Sequence, residues 1–132
     1  MSEREKKRIL LVDDEPDFVK VASRRLEAAG YEVVTALDGE KGLKIARAEE
    51  PDLILLDVAL PGLDGYKVCK KLKEDGRTRG IPILLFTARA PNGVEREGSK
   101  CGADGYIYKP FDTKTLFEKI RSALEPTAKA IT

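Results

Sequence analysis

Short apolar runs alternate along the whole chain with longer segments whose apolar residues recur at helical spacing. The runs are "RILLVD" (8–13), "YEVVTA" (31–36), "DLILLD" (52–57), "IPILLFT" (81–87) and "GYIYK" (105–109). Those rich in Leu, Ile and Val, with no polar alternation, predict parallel strands buried on both faces. Between them, "PDFVKVASRRLEAAG" places Phe18, Val21, Ala22, Leu26 and Ala29 for one helical face and stops at Gly30, a fitting C-terminal cap. "DGEKGLKIARAEE", "DGYKVCKKLKED" and "DTKTLFEKIRSALE" repeat the pattern, with Asp38, Asp64 and Asp112 available as N-caps. The remaining segment, 88–104, should supply the fourth of five helices, yet Pro91, Gly93, Gly98 and Gly102 interrupt it. Each interior glycine costs about 1 kcal/mol relative to alanine, so a short irregular helix is predicted there, with faster amide exchange over residues 91–101 than in the other helices. Five strands alternating with helices give a doubly wound α/β sandwich, helices on both faces of a parallel sheet.

Composition narrows the reading. A chain of 132 residues suits one domain, here 1–132 with a core over 8–124 and short tails. Its 24 basic and 23 acidic residues nearly balance, so neither nucleic acid nor a membrane is the default partner. No run is apolar for long enough to cross a bilayer, and "MSEREKK" lacks the hydrophobic region of a secretory signal, which predicts a cytoplasmic protein. Cys69 and Cys101 form no CxxC pair and suit reduced thiols. The chain contains no histidine, which excludes a Ser-His-Asp triad, a histidine metal cage and a phosphohistidine of its own.

One stretch, "GVEREGSK" (93–100), nearly spells the phosphate-binding loop G-x-x-x-x-G-K-[ST]. Such a loop needs a strand running straight into its first glycine and a long helix starting at its lysine. Here five residues separate Thr87 from Gly93, Ser99 and Lys100 stand in exchanged order, and the next apolar run follows almost at once. An exposed polar segment is the better reading.

The chemistry gathers elsewhere. In an open parallel sheet, ligands sit outside the carboxyl ends of the strands, near the point where strand order reverses. The polar residues that close the strands are Asp13, Asp14 and Glu15 after the first, Asp57 after the third, Thr87 after the fourth and Lys109 after the fifth. Each also has a plain alternative: Asp14 could cap the first helix ahead of Pro16, Thr87 could end a strand, and Lys109 could be a solvated ammonium. Together on one rim they are more telling. Two carboxylates about 4 Å apart repel by roughly 4 kcal/mol at an effective dielectric near 20, and a divalent cation relieves this. All-oxygen ligands favour Mg²⁺ over zinc. A carboxylate beside Mg²⁺, an ammonium and a hydroxyl is equipped to attack phosphorus.

These residues lie in the stretches "LLVDDEP", "LILLDVALPGLDGYKV", "LLFTA" and "GADGYIYKPF", in an order and spacing that resembles the receiver domain of two-component response regulators, the single-domain chemotaxis type included. The resemblance covers residues 8 to 124. It implies a flavodoxin-like five-stranded parallel sheet of order 2-1-3-4-5 flanked by five helices, and Mg²⁺-dependent transfer of a phosphoryl group to one aspartate. By motif position Asp57 is the implied phosphoacceptor and a metal ligand. Asp14 would bind Mg²⁺ directly, Asp13 largely through water, and Ala59 through its carbonyl. Thr87 and Lys109 would contact the acyl phosphate, and Tyr106 would be the switch residue that moves with Thr87. Lys109-Pro110 would be a cis peptide.

The donor would be a sensor histidine kinase, a phosphotransfer protein or a small molecule such as acetyl phosphate. The output would be a downstream effector protein reading helix 4, strand 5 and helix 5, with the receiver a monomer or a phosphorylation-dependent dimer. Three departures stand out. Leu60 replaces a frequent methionine, a neutral packing change. Ala59 and Arg89 flank the route of the hydrolytic water in this family, and Ala59 cannot orient it, which implies slow self-dephosphorylation. The third is the glycine- and proline-broken fourth helix. The alternative is a receiver-like interaction module that is not phosphorylated; a Mg²⁺ phosphohydrolase would want an acid at position 59.

Overall fold

The computed structural model describes residues 6–87, 100–109 and 112–125. Its five strands are β1 (Arg8–Val12), β2 (Glu32–Ala36), β3 (Leu53–Asp57), β4 (Ile83–Thr87) and β5 (Gly105–Tyr108). Its helices are α1 (Pro16–Ala28), α2 (Gly39–Glu49), α3 (Gly65–Glu74) and, after β5, α4 (Thr113–Leu124). The sheet is parallel throughout, in the order β2-β1-β3-β4-β5. That is the predicted order. Of the additional helix predicted over 88–104, only 100–104 falls among the described residues, with Lys100 and Cys101 helical. The interrupting Pro91, Gly93 and Gly98, the predicted exchange over 91–101, Arg89 and the Lys109-Pro110 peptide all lie wholly or partly outside the described residues.

β3 and β4 are buried at every position, as continuous apolar runs covered on both faces must be. Alternation along the strands then splits the core in two. Leu10, Val12, Ile54, Leu56, Ile83 and Leu85 face α2 and α3, packing on Leu43, Ala46, Val68 and Leu72. Ile9, Leu11, Leu53, Leu55, Leu84 and Phe86 face α1 and α4, packing on Val19, Leu26, Leu116 and Ile120.

The helix ends follow the predicted punctuation. Asp38, Asp64 and Asp112 each accept a backbone N–H three residues on, at 2.8, 3.0 and 2.7 Å. After α1, Gly30 takes φ +101°, its N–H reaching the carbonyl of Glu27 while that of Tyr31 reaches Leu26, a Schellman closure that favours glycine. The buried face of α1 differs from the predicted stripe: Val19, Ala22 and Leu26 are buried, whereas Val21 is 51% exposed and Ala29 is exposed. Leu60 is buried in the core on the α2 and α3 side.

Candidate functional site

Register alone brings two acids together. Val12 pairs with Leu56 across β1 and β3, so Asp13 and Asp57 emerge side by side where the chain order of the sheet reverses. Parity adds the lysine. Asp13, Asp57 and Lys109 follow the alternation of Leu11, Leu55 and Ile107, which places them with Phe86 on the α1 and α4 side. Thr87 follows Leu85, which pairs with Tyr106, so Thr87 and Tyr106 share the opposite face.

Asp13 is fully buried and Asp57 is 4% exposed. Neither is bare. One Asp13 oxygen accepts the N–H of Glu15 at 2.8 Å, and one Asp57 oxygen accepts the N–H of Ala59 at 3.0 Å. The other oxygen of each faces the Lys109 ammonium, at 3.3 Å for Asp13 and 3.7 Å for Asp57, with Glu15 Oε1 at 3.8 Å. Asp14 is exposed, and the cap position of α1 is Glu15, which makes no side-chain cap bond; Asp14 therefore does not cap that helix. Oxygens of Asp13, Asp14 and Asp57 lie within 4.8 Å of one another, a spacing at which one cation can bridge them.

Burial pushes the Asp57 carboxyl above its ordinary value; the Ala59 N–H and Lys109 oppose this, while Asp13 and Asp14 add to it. A buried, proton-hungry carboxylate beside two others is an anion short of countercharge. Lys109 supplies one positive charge, and its backbone N–H is anchored to the Thr87 carbonyl at 2.7 Å. Thr87 ends β4 almost fully buried, and Tyr106 packs half-buried against the core on the α2 and α3 side.

The strand-end residues Asp13, Asp14, Asp57 and Lys109 thus meet at one rim, and Ala59 touches Asp57 through its backbone. Two supporting residues escaped the sequence reading. Phe18, assigned there only to a helix face, lies beneath the Lys109 ammonium with Phe86. Gly65 starts α3 against the end of β3, where a Cβ would stand 2.2 Å from the Asp57 carbonyl oxygen. Its place immediately after a capping aspartate was the available signal.

Residues 9–121 match the family model described as the response regulator receiver domain. The chain belongs to that family. Receiver domains are phosphoacceptor signalling switches with a regulatory role, and this chain is one of them. It is 43% identical over 120 residues to the DNA-binding dual master transcriptional regulator RpaA of Synechocystis sp., a match covering 91% of this chain and 50% of that protein. The chain thus spans about half the length of that relative. A CheY-like receiver domain protein from Methanospirillum hungatei superposes with a TM-score of 0.88 at 32% identity, covering 96% of this chain and 99% of that one. The receiver domain of a Pseudomonas aeruginosa sensor histidine kinase superposes with a TM-score of 0.84 at 31% identity, covering 90% and 98%, and carries a magnesium ion coordinated in its active-site cleft. Among the described residues, no helix is long and apolar enough to cross a membrane.

Proposed function

We propose that Asp57 accepts a phosphoryl group from the phosphohistidine of a separate sensor kinase or phosphotransfer protein. The observation that carries this is the position of Asp57: buried, held at one oxygen by the Ala59 N–H, and facing Lys109 with the other. In the transfer, an Asp57 oxygen forms the new bond to phosphorus while the bond from phosphorus to the donor nitrogen breaks. The freed imidazole keeps that electron pair. Lys109 stabilises the oxygens of the moving group, and the Thr87 hydroxyl donates to one of them. The donor set fits Mg²⁺, because it is all oxygen and partly open to solvent through Asp14; Asp14, Asp57 and the Ala59 carbonyl would hold the ion directly and Asp13 largely through water. When bound, Mg²⁺ would neutralise negative charge on the carboxylates and the transferring group.

Thr87 and Tyr106, on a shared face, form the proposed switch. Movement of Thr87 toward the phosphoryl group would let Tyr106 settle inward and alter the surface of the 88–104 segment, β5 and α4 read by an effector. We assign the whole chain, 1–132, to one receiver domain acting in the cytoplasm. It would work as a monomer or a phosphorylation-dependent dimer, without direct contact to nucleic acid or membrane. Its chemistry would be limited to its own phosphorylation and dephosphorylation. Intact mass after incubation with Mg²⁺ and acetyl phosphate tests the reading. One phosphoryl adduct is expected on the parent and none on Asp57→Asn. An unmodified parent with both acetyl phosphate and a phosphorylated histidine kinase would instead favour the unphosphorylated interaction module.

A further inference from the structure

Lys109 has neighbours of two chemical kinds. On one side stand carboxylates, Asp13 at 3.3 Å, Asp57 at 3.7 Å and Glu15 at 3.8 Å. On the other stand two rings, with the ammonium nitrogen 4.7 Å from the centroid of Phe18 and 4.9 Å from that of Phe86. Both distances fall within the roughly 6 Å over which a ring face attracts a cation. The rings also brace each other, with centroids 5.6 Å apart and planes inclined by 32°. Phe86 is fixed in the core by β4, while Phe18 is half-buried in the first turn of α1.

The two kinds of partner behave differently during the reaction. Asp13 would turn toward a cation when one binds, Asp57 loses its free carboxylate when it becomes an acyl phosphate, and Glu15, at 3.8 Å and largely exposed, is a loose tether. A lysine on its flexible four-carbon stem, tied by those charges alone, would lose its position at the moment it is needed. The rings are neutral and take no part in either event. Their attraction persists, yet it is weak enough to let the ammonium turn from a carboxylate to a phosphoryl oxygen.

We propose that Phe18 and Phe86 form an aromatic seat that keeps the Lys109 ammonium beside Asp57 while its carboxylate partners are engaged elsewhere. Both are positioning residues, acting through Lys109. The inference rests on the phosphoacceptor reading for its consequence, but the seat itself exists in the unphosphorylated protein.

Full-length Phe18→Leu, Phe18→Met and Phe18→Tyr separate a seat from a space filler. Two quantities are read: the rate of phosphorylation by acetyl phosphate with Mg²⁺, and the proton shifts of the Lys109 ε-methylene by NMR. In the parent, the ring faces shift those protons upfield. The Leu and Met variants are expected to move them downfield and to slow phosphorylation about two- to tenfold, whereas Tyr retains both parent values. Equal loss in Leu, Met and Tyr would reduce Phe18 to packing, and unmoved ε-methylene shifts in folded Leu and Met variants would overturn the seat. Should the parent itself take up no phosphate, the phosphoacceptor reading fails separately, and the ε-methylene shifts still decide whether the seat exists.

Discussion

A carboxylate buried as deeply as Asp57 is costly to keep charged, and burial raises its proton affinity accordingly. One hydrogen bond and one ion pair make the position tenable: the Ala59 N–H donates to one oxygen, and the Lys109 ammonium stands 3.7 Å from the other. Such residues were legible from sequence because each closes an apolar run with an abrupt polar change, at the end of the strand where parallel sheets bind ligands. Phe18 was not, since an aromatic in an amphipathic segment has the same pattern whether it fills the core or seats a cation. Ala59 marks another consequence. It is exposed and sits at the edge of the Asp57 carboxylate, with a methyl group where a polar side chain could orient water. Ala59→Asn is therefore expected to shorten the life of the acyl phosphate roughly tenfold, the effect of about 1.4 kcal/mol of positioning. Following adduct loss by intact mass after donor removal checks this, and an unchanged lifetime would remove the role assigned to position 59.

At the scale of elements, punctuation was the more readable feature and facing the less. The caps at Asp38, Asp64 and Asp112 are short-range chemistry written in adjacent residues. The rotation of α1 is not. At about 100° per residue, Val19, Ala22 and Leu26 centre the buried arc some 70° round from Phe18, which leaves Val21 on the far side. Only the sheet decides that rotation. Helix α3 is constrained at both ends. At its start, a Cβ on Gly65 would meet the Asp57 carbonyl oxygen at 2.2 Å and the Val58 Cα at 2.7 Å. Gly65→Ala should cost about 1–3 kcal/mol in urea unfolding and slow phosphorylation, because the backbone that must yield belongs to Asp57. Native stability in that variant would show that α3 can shift freely. At the other end, the Arg77 N–H, then its guanidinium, and Arg47 lower the Asp75 carboxyl from 3.8 to about 2, against a smaller opposing effect of burial. The folded state holds its proton less tightly than the unfolded chain, so the stabilisation is full above 3.8 and fades as pH falls through about 2. Thermal melts at stepped pH should therefore show Asp75→Asn less stable than the parent at neutral pH, with the gap closing in acid.

The whole molecule is a sheet with two buried faces, stapled along one rim and electrostatically strained along the other. At the amino ends of the strands, the Arg8 guanidinium pairs with Glu32 and Glu49, and the Arg8 backbone N–H donates to Asp52 at 2.7 Å. At the carboxyl ends, Asp13, Asp14 and Asp57 crowd within 4.8 Å with Lys109 as counter-charge. The layered architecture was legible because fully apolar strands admit helices on both faces, and the rim followed from it. The depth of Asp13 beside the exposed Asp14 required the coordinates, since adjacent residues of the same type give no hint of which turns inward. That asymmetry bears on stability as a whole. A cation that binds the folded rim and not the unfolded chain stabilises by about 2.7 kcal/mol at a hundred times its dissociation constant, on the order of 10 °C in melting temperature. The parent should accordingly melt higher in MgCl2 than in NaCl of equal ionic strength. Asp57→Asn removes a buried like charge and should start more stable than the parent in chelator, yet gain little from Mg²⁺. The two melting curves should cross as Mg²⁺ rises, with the variant higher before the crossing and the parent higher after it. Parallel curves would mean that the three carboxylates do not act together as a cation site.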